Sequence, residues 1–249
     1  MRTLLGKLDE IAMARLKEFE PDEGYYVAYS GGKDSDVILD LARRSGVKYE
    51  AHHHLTTADP PEVVRHVKTQ PDVIIDKPEL TMWRLIRKKK MPPRRQARYC
   101  CETQKEGGGS GCLVVTGIRW DESGRRSKRR MVETCFKDKT KQFLNIIIDW
   151  TTTDVWEYIR SREIPYCSLY DEGFKRLGCV LCPMTRDIAR QMQRWPKICR
   201  AWEKAVKATF QPDNKRFVFK TAEEYWHWWL DRDAPSRKQD GNQRMFFRD

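Results

Sequence analysis

The sequence lacks several features that would assign it to common protein classes. No apolar run reaches the roughly 18 residues of a membrane span, and the N-terminus has no signal-peptide hydrophobic region. We therefore expect a soluble, cytoplasmic protein without a membrane partner. The G-x-x-x-x-G-K-S/T P-loop and the G-x-G-x-x-G dinucleotide turn are both absent, which argues against the two commonest nucleotide-binding folds. Gly107 to Gly111 is the only low-complexity segment, and no internal repeat is visible.

Composition indicates a basic protein with unusual cysteine content. The 249 residues suit one large domain, or a core with an extension. Lys and Arg number 48 against 36 Asp and Glu, so the net charge is +12 and a polyanionic partner is expected. Eight cysteines in an intracellular chain favour metal or redox chemistry over a disulfide framework. The oligomeric state is left open.

Strand and helix patterns alternate through the first two thirds of the chain, which predicts an α/β fold with a parallel sheet. A cover helix over 1–23 precedes a nucleotide-binding core over 24–165. Residues 166–249 form a mostly helical, cysteine-bearing C-terminal extension, with helices at 185–195, 197–209 and 221–231. Within the core, strands are predicted at 25–29, 48–54, 72–76, 113–118 and 143–148, and helices at 35–45, 61–68, 80–90 and 154–162.

The segment from Tyr25 to Ser35 predicts a buried strand that runs through a glycine turn into a helix. Gly31 and Gly32 can both take positive φ, so that backbone N–H groups converge on a phosphate. Lys33 adds a positive charge in what we expect to be an exposed turn. We expect Ser35 to cap a helix beginning at Asp36, whose positive dipole end then faces the same anion.

Ser-Gly-Gly-x-Asp-Ser after an apolar strand resembles the PP-loop of N-type ATP pyrophosphatases, which split ATP between the α and β phosphates. The resemblance implies an adenine nucleotide α-hydrolase-like, Rossmann-like core that binds ATP with Mg²⁺. It implies that Lys33 and Asp34 are catalytic and that Lys33 stabilises charge on the leaving group. The residues implied to hold the pyrophosphate are Ser30, Gly31, Gly32, Lys33, Asp34 and Ser35.

Two cysteine pairs, Cys100-Cys101 and Cys179-x-x-Cys182, have the spacing of metal ligands. Adjacent thiolates suit a [4Fe–4S] cluster better than zinc, because a cluster offers separate irons to neighbouring sulfurs. We favour the cluster, with zinc as the alternative and buried structural thiols as a third possibility. The other four cysteines have no paired spacing, and an apolar structural role is expected for Cys112, Cys135, Cys167 and Cys199.

A series of motifs in fixed order resembles the phosphoadenosine phosphosulfate reductase family over residues 24 to 185. The resemblance implies that Gly117, Arg119 and Arg126 bind the nucleotide and that the four paired cysteines hold an iron–sulfur cluster. The motifs are Arg98-Tyr99-Cys100-Cys101 with Lys105, Thr116-Gly117-Ile118-Arg119 with Glu122, Ser123 and Arg126, Asp149-Trp150 with Asp154-Val155-Trp156, Ile164-Pro165-Tyr166 with Leu169-Tyr170, and Gly178-Cys179-Val180-Leu181-Cys182-Pro183.

Two departures from the reductase pattern shape the functional hypothesis. The reductases carry a nucleophilic cysteine in a Glu-Cys-Gly-Leu-His tail, whereas this sequence ends with Gly241 to Asp249 and its last cysteine is Cys199. Reductases also generally have a degenerate PP-loop, and this one is intact. The combination resembles the family's sulfur-transfer branch, which includes DNA phosphorothioation sulfurtransferases and tRNA thiolases. That branch implies a nucleic-acid acceptor and a sulfur-donor protein or thiol reductant as partners.

Alternative hypotheses are a sulfonucleotide reductase and a non-catalytic subunit that binds nucleotide and nucleic acid. Two basic runs bear on the acceptor: Arg84 to Arg98 contains eight Lys or Arg and no acid, and Arg125 to Arg130 adds five. Each run is either a solvated surface or a groove that follows a phosphate backbone. The aromatic segment Tyr225 to Trp229 favours a core helix over base stacking. His52, His53 and His54 alternate across a strand, so they cannot all bind one metal ion.

Overall fold

The structure is a computed structural model that describes residues 4–214 and 217–231. The chain forms two compact units, each assembled from separate segments. Unit 1 comprises the described residues up to Leu55, Pro61–Lys77 and Gly107–Leu177. Unit 2 comprises Thr56–Pro60, Pro78–Glu106 and the described residues from Gly178 onward. The sequence-based domain limits at residues 23 and 165 stay a prediction.

Unit 1 is built on one mixed sheet of six strands in the order β3-β2-β1-β4-β6-β5. Five strands are parallel to their neighbours, and β5 alone is antiparallel to β6. The predicted parallel α/β fold is therefore confirmed. The strands are β1 (Tyr25–Ala28), β2 (Tyr49–His54), β3 (Val73–Asp76), β4 (Leu113–Val115), β5 (Val132–Thr134) and β6 (Gln142–Leu144).

Helices follow the predicted alternation in unit 1 and dominate unit 2. Unit 1 carries α1 (Leu4–Glu18), α2 (Lys33–Ser45), α3 (Pro61–Lys68) and α6 (Thr152–Ser161), and unit 2 carries α4 (Met82–Lys89), α5 (Tyr99–Gln104), α7 (Ile188–Arg194), α8 (Pro196–Lys207) and α9 (Ala222–Leu230). Within the described residues, no helix combines the length and apolarity needed to cross a bilayer.

Local signals explain where the helices begin and end. Gly46, with φ +73°, ends α2 in the left-handed conformation that glycine adopts without steric cost. At the start of α6, the Thr151 hydroxyl accepts the Asp154 N–H at 3.2 Å, and the Asp154 carboxylate accepts the Thr151 N–H at 2.7 Å. This reciprocal pair satisfies two backbone donors that the helix leaves unpaired.

Two elements were not predicted. The segment between β4 and β6, expected as a charged loop, contains the edge strand β5. Residues 99–104 form α5, whose first turn carries Cys100 and Cys101. Both elements are too short to show a hydrophobic period, so pairing and packing decided their conformation.

The aromatic residues of α9 belong to the core of unit 2. Tyr225, Trp226 and Trp229 are buried, and Trp229 stacks on Trp202 of α8 at a centroid distance of 5.0 Å. The Trp229 indole N–H also donates to the Pro93 carbonyl at 2.8 Å. These contacts support the core interpretation of this segment.

Candidate functional site

The candidate site of unit 1 lies where the strand order reverses. The chain adds β2 and β3 on one side of β1 and then returns to place β4 on the other side. Ligands of open α/β sheets bind beside the carboxyl ends of strands at such a reversal. The segment after β1 is the PP-loop, Ser30 to Ser35, and the segment after β4 is Thr116 to Arg119. The two strongest nucleotide motifs therefore meet at one edge of the sheet.

The glycine turn depends on Gly31 and less on Gly32. Gly31 has φ +74°, and a Cβ built there would lie 2.8 Å from Val67 Cγ2 of α3. Gly32 has an ordinary φ of −101° and is the N-cap of α2. The prediction of positive φ at both glycines was wrong for Gly32, because α2 begins one residue later and fixes the Gly32 backbone as extended.

Ser35 closes the turn from inside the helix. Its Oγ accepts the Gly32 N–H at 3.0 Å and donates to the Gly32 carbonyl at 2.7 Å. Ser30 Oγ donates to Ser35 Oγ at 3.2 Å. The prediction that α2 begins at Asp36 with Ser35 as its cap was wrong. The helix begins at Lys33, and Ser35 is its third residue.

Asp34 is shared by two buried cations. Lys33 Nζ lies 2.8 Å from one carboxylate oxygen, and Arg119 Nε lies 2.8 Å from the other. Lys33 is 6% exposed and Arg119 is 1% exposed. The expectation of an exposed Lys33 was wrong, because the Asp34 carboxylate supplies the partner that lets the ammonium leave water. Arg119 Nη1 also lies 3.5 Å from the Asp121 carboxylate. The two cations lie at the N-terminus of α2, whose backbone N–H groups and dipole favour an anion.

The segment after β4 approaches the PP-loop closely. A Cβ built on Gly117 would lie 2.9 Å from the Asp34 carbonyl oxygen, so this position requires glycine. Two residues later, Arg119 Nη1 donates to the Trp150 carbonyl at 3.2 Å and to Thr152 Oγ1 at 3.4 Å. These bonds fix the guanidinium beside Asp34. Gly117 and Arg119 therefore lie at the PP-loop, where the family motif places them.

A second set of polar groups lies around Asp121 and Glu122. Asp121 accepts the Thr152 N–H at 2.9 Å and the Thr152 hydroxyl at 2.8 Å. The hydrogen bond from the Thr152 hydroxyl, with that from the Thr152 N–H, holds the pKa of Asp121 below its usual value. Glu122 forms an ion pair with Arg126, which is about one third exposed.

These groups surround an open cavity of about 900 Å³ within unit 1. The volume lies at the upper end of the range for small-molecule sites. Sequence reasoning assigned no role to several lining residues, because their motifs do not show which side chains converge. The cavity is lined by Ala28, Ser30, Gly32, Lys33, Asp34, Ser35, Gly117, Ile118, Arg119, Asp121, Glu122, Arg126, Thr152, Trp156, Tyr170, Gly173, Phe174, Lys175, Arg176 and Leu177.

Comparison with known proteins identifies the family. The model of the phosphoadenosine phosphosulfate reductase domain matches residues 24–185. An adenosine 5'-phosphosulfate reductase of Geobacillus kaustophilus is 31% identical over 217 residues, covering 76% of this chain and 85% of the relative. The chain belongs to the phosphoadenosine phosphosulfate reductase family.

Two other relatives of this chain are much longer than the region that matches it. Two uncharacterised proteins of Methanocaldococcus jannaschii, MJ0066 and MJ0973, are 28% and 26% identical over 76% and 82% of this chain. The matches span only 42% and 54% of those relatives. This chain therefore spans about half the length of these curated relatives.

Solved structures support the fold. Phosphoadenylyl-sulfate reductase from Candida auris, in a phosphate complex, superposes with a TM-score of 0.54 at 19% identity, over 72% of this chain and 95% of that chain. FMN adenylyltransferase from Candida glabrata, in complex with FAD and inorganic pyrophosphate, gives 0.52 at 16% identity, over 71% and 65%. The Rossmann-like fold predicted from the motifs is confirmed.

Unit 2 contains all four paired cysteines. A hydrogen bond between Cys100 and Cys101 raises the pKa of the Cys100 thiol, and burial together with Cys101, Cys179 and Cys182 raises it further. The same hydrogen bond, aided by Lys105 and Arg98, lowers the pKa of Cys101 to about 6. Cys179 and Cys182 thus lie close enough to Cys100 to raise the pKa of its thiol electrostatically.

Lys105 is the cation nearest to these thiols. Its Nζ lies 3.6 Å from the Asp59 carboxylate, and Asp59 accepts a long 3.8 Å hydrogen bond from the Cys179 thiol. Thr56 Oγ1 lies 3.3 Å from Cys179 Sγ. Burial raises the pKa of Cys179 to about 11, although Lys105 acts to lower it. Lys105, in the predicted cysteine motif, thus belongs to the same cluster.

The cysteines do not form a ready site for a single metal ion. Among residues 4–214 and 217–231, no three His, Cys, Asp or Glu side chains are grouped closely enough to hold one. A tetrahedral zinc site would require all four sulfurs around one ion. An iron–sulfur cluster keeps its sulfur ligands farther apart, because each binds a different iron. The choice between a cluster and zinc therefore stays a prediction from the spacing of the two cysteine pairs.

The remaining cysteines differ in exposure. Cys167 and Cys199 are buried, as expected for structural thiols, and burial raises the pKa of Cys199 to about 11. Cys112 and Cys135 are half-buried. The tail from Gly241 to Asp249 lies outside the described residues.

The two basic runs differ in their charge compensation. In Arg125 to Arg130, Arg126 pairs with Glu122 and Arg129 pairs with Glu133. In the described part of the chain, none of the eight cations from Arg84 to Arg98 forms an ion pair. Seven of these eight are exposed, and the half-buried Arg94 lies over the Trp228 ring at 5.7 Å. The first run, in unit 2, therefore carries more uncompensated positive charge than the second run, in unit 1.

The three consecutive histidines divide between the two faces of β2, with His52 and His54 sharing contacts to Asp76 and Tyr26. His52 Nδ1 lies 2.9 Å from the Asp76 carboxylate, and His54 Nε2 lies 2.5 Å from the Tyr26 hydroxyl. His53 is buried on the opposite face, with Nδ1 3.1 Å from the Tyr29 carbonyl. The expectation that they do not converge on one metal ion is confirmed.

Proposed function

We propose that this protein is an ATP-dependent sulfurtransferase. ATP would be cleaved between the α and β phosphates, an oxygen of the acceptor would be adenylylated, and sulfur would then replace that oxygen as AMP leaves. The observation that carries the proposal is the pair of buried cations, Lys33 and Arg119, which share the Asp34 carboxylate at the PP-loop, with the Asp121 carboxylate 3.5 Å from Arg119. A polyphosphate would bind these two cations and the backbone N–H groups at the start of α2.

The residues of the cavity can perform the first step. Backbone N–H groups at the start of α2, together with the helix dipole, favour an anion there. Lys33 would stabilise charge on the departing pyrophosphate, and Arg119 would orient the phosphates. Mg²⁺ would arrive with ATP, since it is usually held by phosphates and one or two carboxylates. Asp34 and Asp121 line the cavity and are the carboxylates we assign to it.

The cysteine cluster suits sulfur chemistry. Cys100, Cys101, Cys179 and Cys182 would hold a [4Fe–4S] cluster, and Lys105 would offset part of its negative charge. When bound, the cluster would either carry sulfur for the transfer or stabilise the fold of unit 2 by linking its two cysteine pairs. A sulfur-donor protein would provide the sulfur atom, and a thiol reductant would provide the electrons that release it from the donor.

Nucleic acid is the proposed acceptor. The segment Arg84 to Arg98 carries eight cations without an ion pair among the described residues, in a chain of net charge +12. Clustered uncompensated cations release condensed counterions when they neutralise phosphates, which favours DNA or RNA over a neutral acceptor.

Sulfonucleotide reduction is the second candidate. It is favoured by the relatives named adenosine 5'-phosphosulfate reductase, including those of Geobacillus kaustophilus at 31% and Staphylococcus epidermidis at 28% identity. A reductase needs a thiol that reaches the bound sulfonucleotide. Cys199 is 5% exposed in α8, so its thiol is poorly placed for that role, and the second candidate would use a thiol supplied by a partner.

The decisive experiment compares the two substrates on anaerobically prepared protein. With ATP, a sulfur donor and DNA or RNA, the proposal expects AMP and pyrophosphate in equal amounts. Lys33→Ala should lower this turnover by about 100-fold or more, as expected for loss of an electrostatic contact to the leaving group. Lys68→Ala, at the exposed end of α3, is the matched control and should leave turnover unchanged.

The other outcomes separate the alternatives. Reduction of adenylylsulfate or phosphoadenylylsulfate to sulfite, without AMP release from ATP, would establish the reductase. Binding of nucleotide and nucleic acid without turnover of any of these substrates would indicate a non-catalytic subunit.

A further inference from the structure

Tyr170 makes an unexpected contact with the PP-loop. Its phenol oxygen accepts the backbone N–H of Lys33 at 3.0 Å, although the two residues lie 137 positions apart. Lys33 is the first residue of α2, so this N–H has no carbonyl partner inside the helix. It is one of the donors that a phosphate at the helix N-terminus would use.

The tyrosine oxygen therefore lies where a phosphate oxygen would be expected. A Cβ built on Gly32 would lie 3.3 Å from it, which shows how closely the phenol approaches the glycine turn. The Asp34 carboxylate also occupies donors that a phosphate could use, because it accepts hydrogen bonds from Lys33 Nζ and Arg119 Nε. A neutral hydroxyl and a carboxylate thus satisfy the backbone N–H and the two cations of the anion site.

We propose that Tyr170 is a positioning residue that occupies the anion site of the PP-loop and is displaced when the phosphates of the nucleotide bind. The proposal rests on the proposed function in one respect, which is that the N-terminus of α2 receives a phosphate. It assigns to Tyr170 a role in the free protein, as an internal substitute for a phosphate oxygen.

The surroundings of Tyr170 support a defined position for the ring. Trp156 meets it edge-on at 5.1 Å and also meets Tyr166 edge-on at 5.2 Å. The neighbouring Leu169 is fully buried and anchors the short 3-10 helix Ser168–Tyr170. Burial raises the pKa of Tyr170, so the phenol stays neutral at physiological pH. A neutral oxygen is a weaker acceptor than a phosphate oxygen, which allows exchange.

The test measures binding of inorganic pyrophosphate by calorimetry to the full chain. Tyr170→Phe keeps the ring and removes the oxygen, so the Lys33 N–H is left without this partner in the free protein. The variant should bind pyrophosphate about 2- to 10-fold more tightly than the original protein, the value of one hydrogen bond lost only from the free state. Weaker binding would mean that the hydroxyl contacts phosphate directly and would overturn the proposal, as would unchanged binding.

Tyr166→Phe is the matched control. The Tyr166 hydroxyl donates to Asp171 at 2.9 Å and belongs to the same aromatic cluster, but its bond does not involve α2. Its removal should leave pyrophosphate affinity unchanged. A gain in both variants would show a general loosening of the cluster and would overturn the specific role of Tyr170.

A second measurement reports on displacement itself. Because Trp156 touches Tyr170, pyrophosphate should change tryptophan emission in the original protein, and Trp156→Phe should remove most of that change. Pyrophosphate binding without a signal from Trp156 would contradict displacement. If neither the original protein nor Tyr170→Phe binds pyrophosphate or ATP, the proposed function fails and this inference fails with it. If the original protein binds pyrophosphate and Tyr170→Phe binds it no more tightly, the proposed function stands and only the inference about Tyr170 fails.

Discussion

Arg119 Nε donates to the Asp34 carboxylate at 2.8 Å across 85 positions of sequence. The bond joins the segment that follows β4 to the helix that follows β1, and so connects the two motifs on either side of the strand reversal. Because Arg119 is 1% exposed, its guanidinium needs the carboxylates of Asp34 and Asp121 to compensate its charge when no anion is bound.

Replacing Asp34 should make stability depend on anions. Asp34→Asn leaves Lys33 and Arg119 without their shared carboxylate, so the free energy of unfolding should fall by about 1 to 3 kcal/mol in anion-free buffer. Pyrophosphate should raise Tm more in this variant than in the original protein, because it replaces the missing charge. Thermal melts with and without pyrophosphate measure both effects.

Asp72→Asn provides the control for that experiment. Asp72 pairs with Arg43, but both side chains are about one third exposed. Loss of this ion pair should lower the free energy of unfolding by under about 1 kcal/mol, and pyrophosphate should not restore the lost stability. The charge balance argued for Asp34 would be wrong if Asp34→Asn melted like the original protein without anions.

The glycine turn gives a second stability prediction. Gly31→Ala should destabilise the protein more than Gly46→Ala, although both positions have nearly the same positive φ, +74° and +73°. Each substitution should lower the free energy of unfolding by about 1 to 2 kcal/mol, because alanine is strained in the left-handed backbone conformation. Gly31→Ala should lose more, since its Cβ would lie 2.8 Å from Val67 Cγ2, whereas nothing lies within 4 Å at Gly46. Urea unfolding compares the two, and equal losses would contradict the close packing of the turn.

Metal content tests the cysteine assignment. Protein purified without oxygen should be brown and contain about four irons per chain. Serine at Cys100, Cys101, Cys179 or Cys182 should lower the iron content, whereas Cys112→Ser should retain it. Elemental analysis and visible absorption measure the result. One tightly bound zinc without iron would show that the cluster assignment is wrong.

Salt dependence tests the acceptor. Neutralising Lys88, Lys89 and Lys90 should weaken binding to DNA or RNA and reduce the log–log salt slope by up to about three. The matched control neutralises three exposed cations of α8, Lys197, Arg200 and Lys204, and should change the slope little. Fluorescence anisotropy across a salt series measures the slope. No binding to DNA or RNA at low salt would remove nucleic acid as the acceptor.

The amino-acid sequence determined the local architecture of this protein. The strand, glycine turn and helix around Ser30 to Ser35 follow from apolar patterning and glycine positions, which act over a few residues. The alternation of strands and helices predicted the parallel sheet, and the order of the motifs predicted the family. These features were accessible because hydrophobic period and turn chemistry are local properties.

Tertiary structure alone decided how the side chains of the site are paired. Lys33 was expected at the surface, yet it is buried, and its Nζ donates a hydrogen bond to the Asp34 carboxylate. Arg119 and Tyr170 reach α2 from 85 and 137 positions away. Patterning shows which face of an element is apolar, but the burial of the Arg119 charge depends on Asp34, a partner from another element. That partner is set by strand order and packing, which no local pattern encodes.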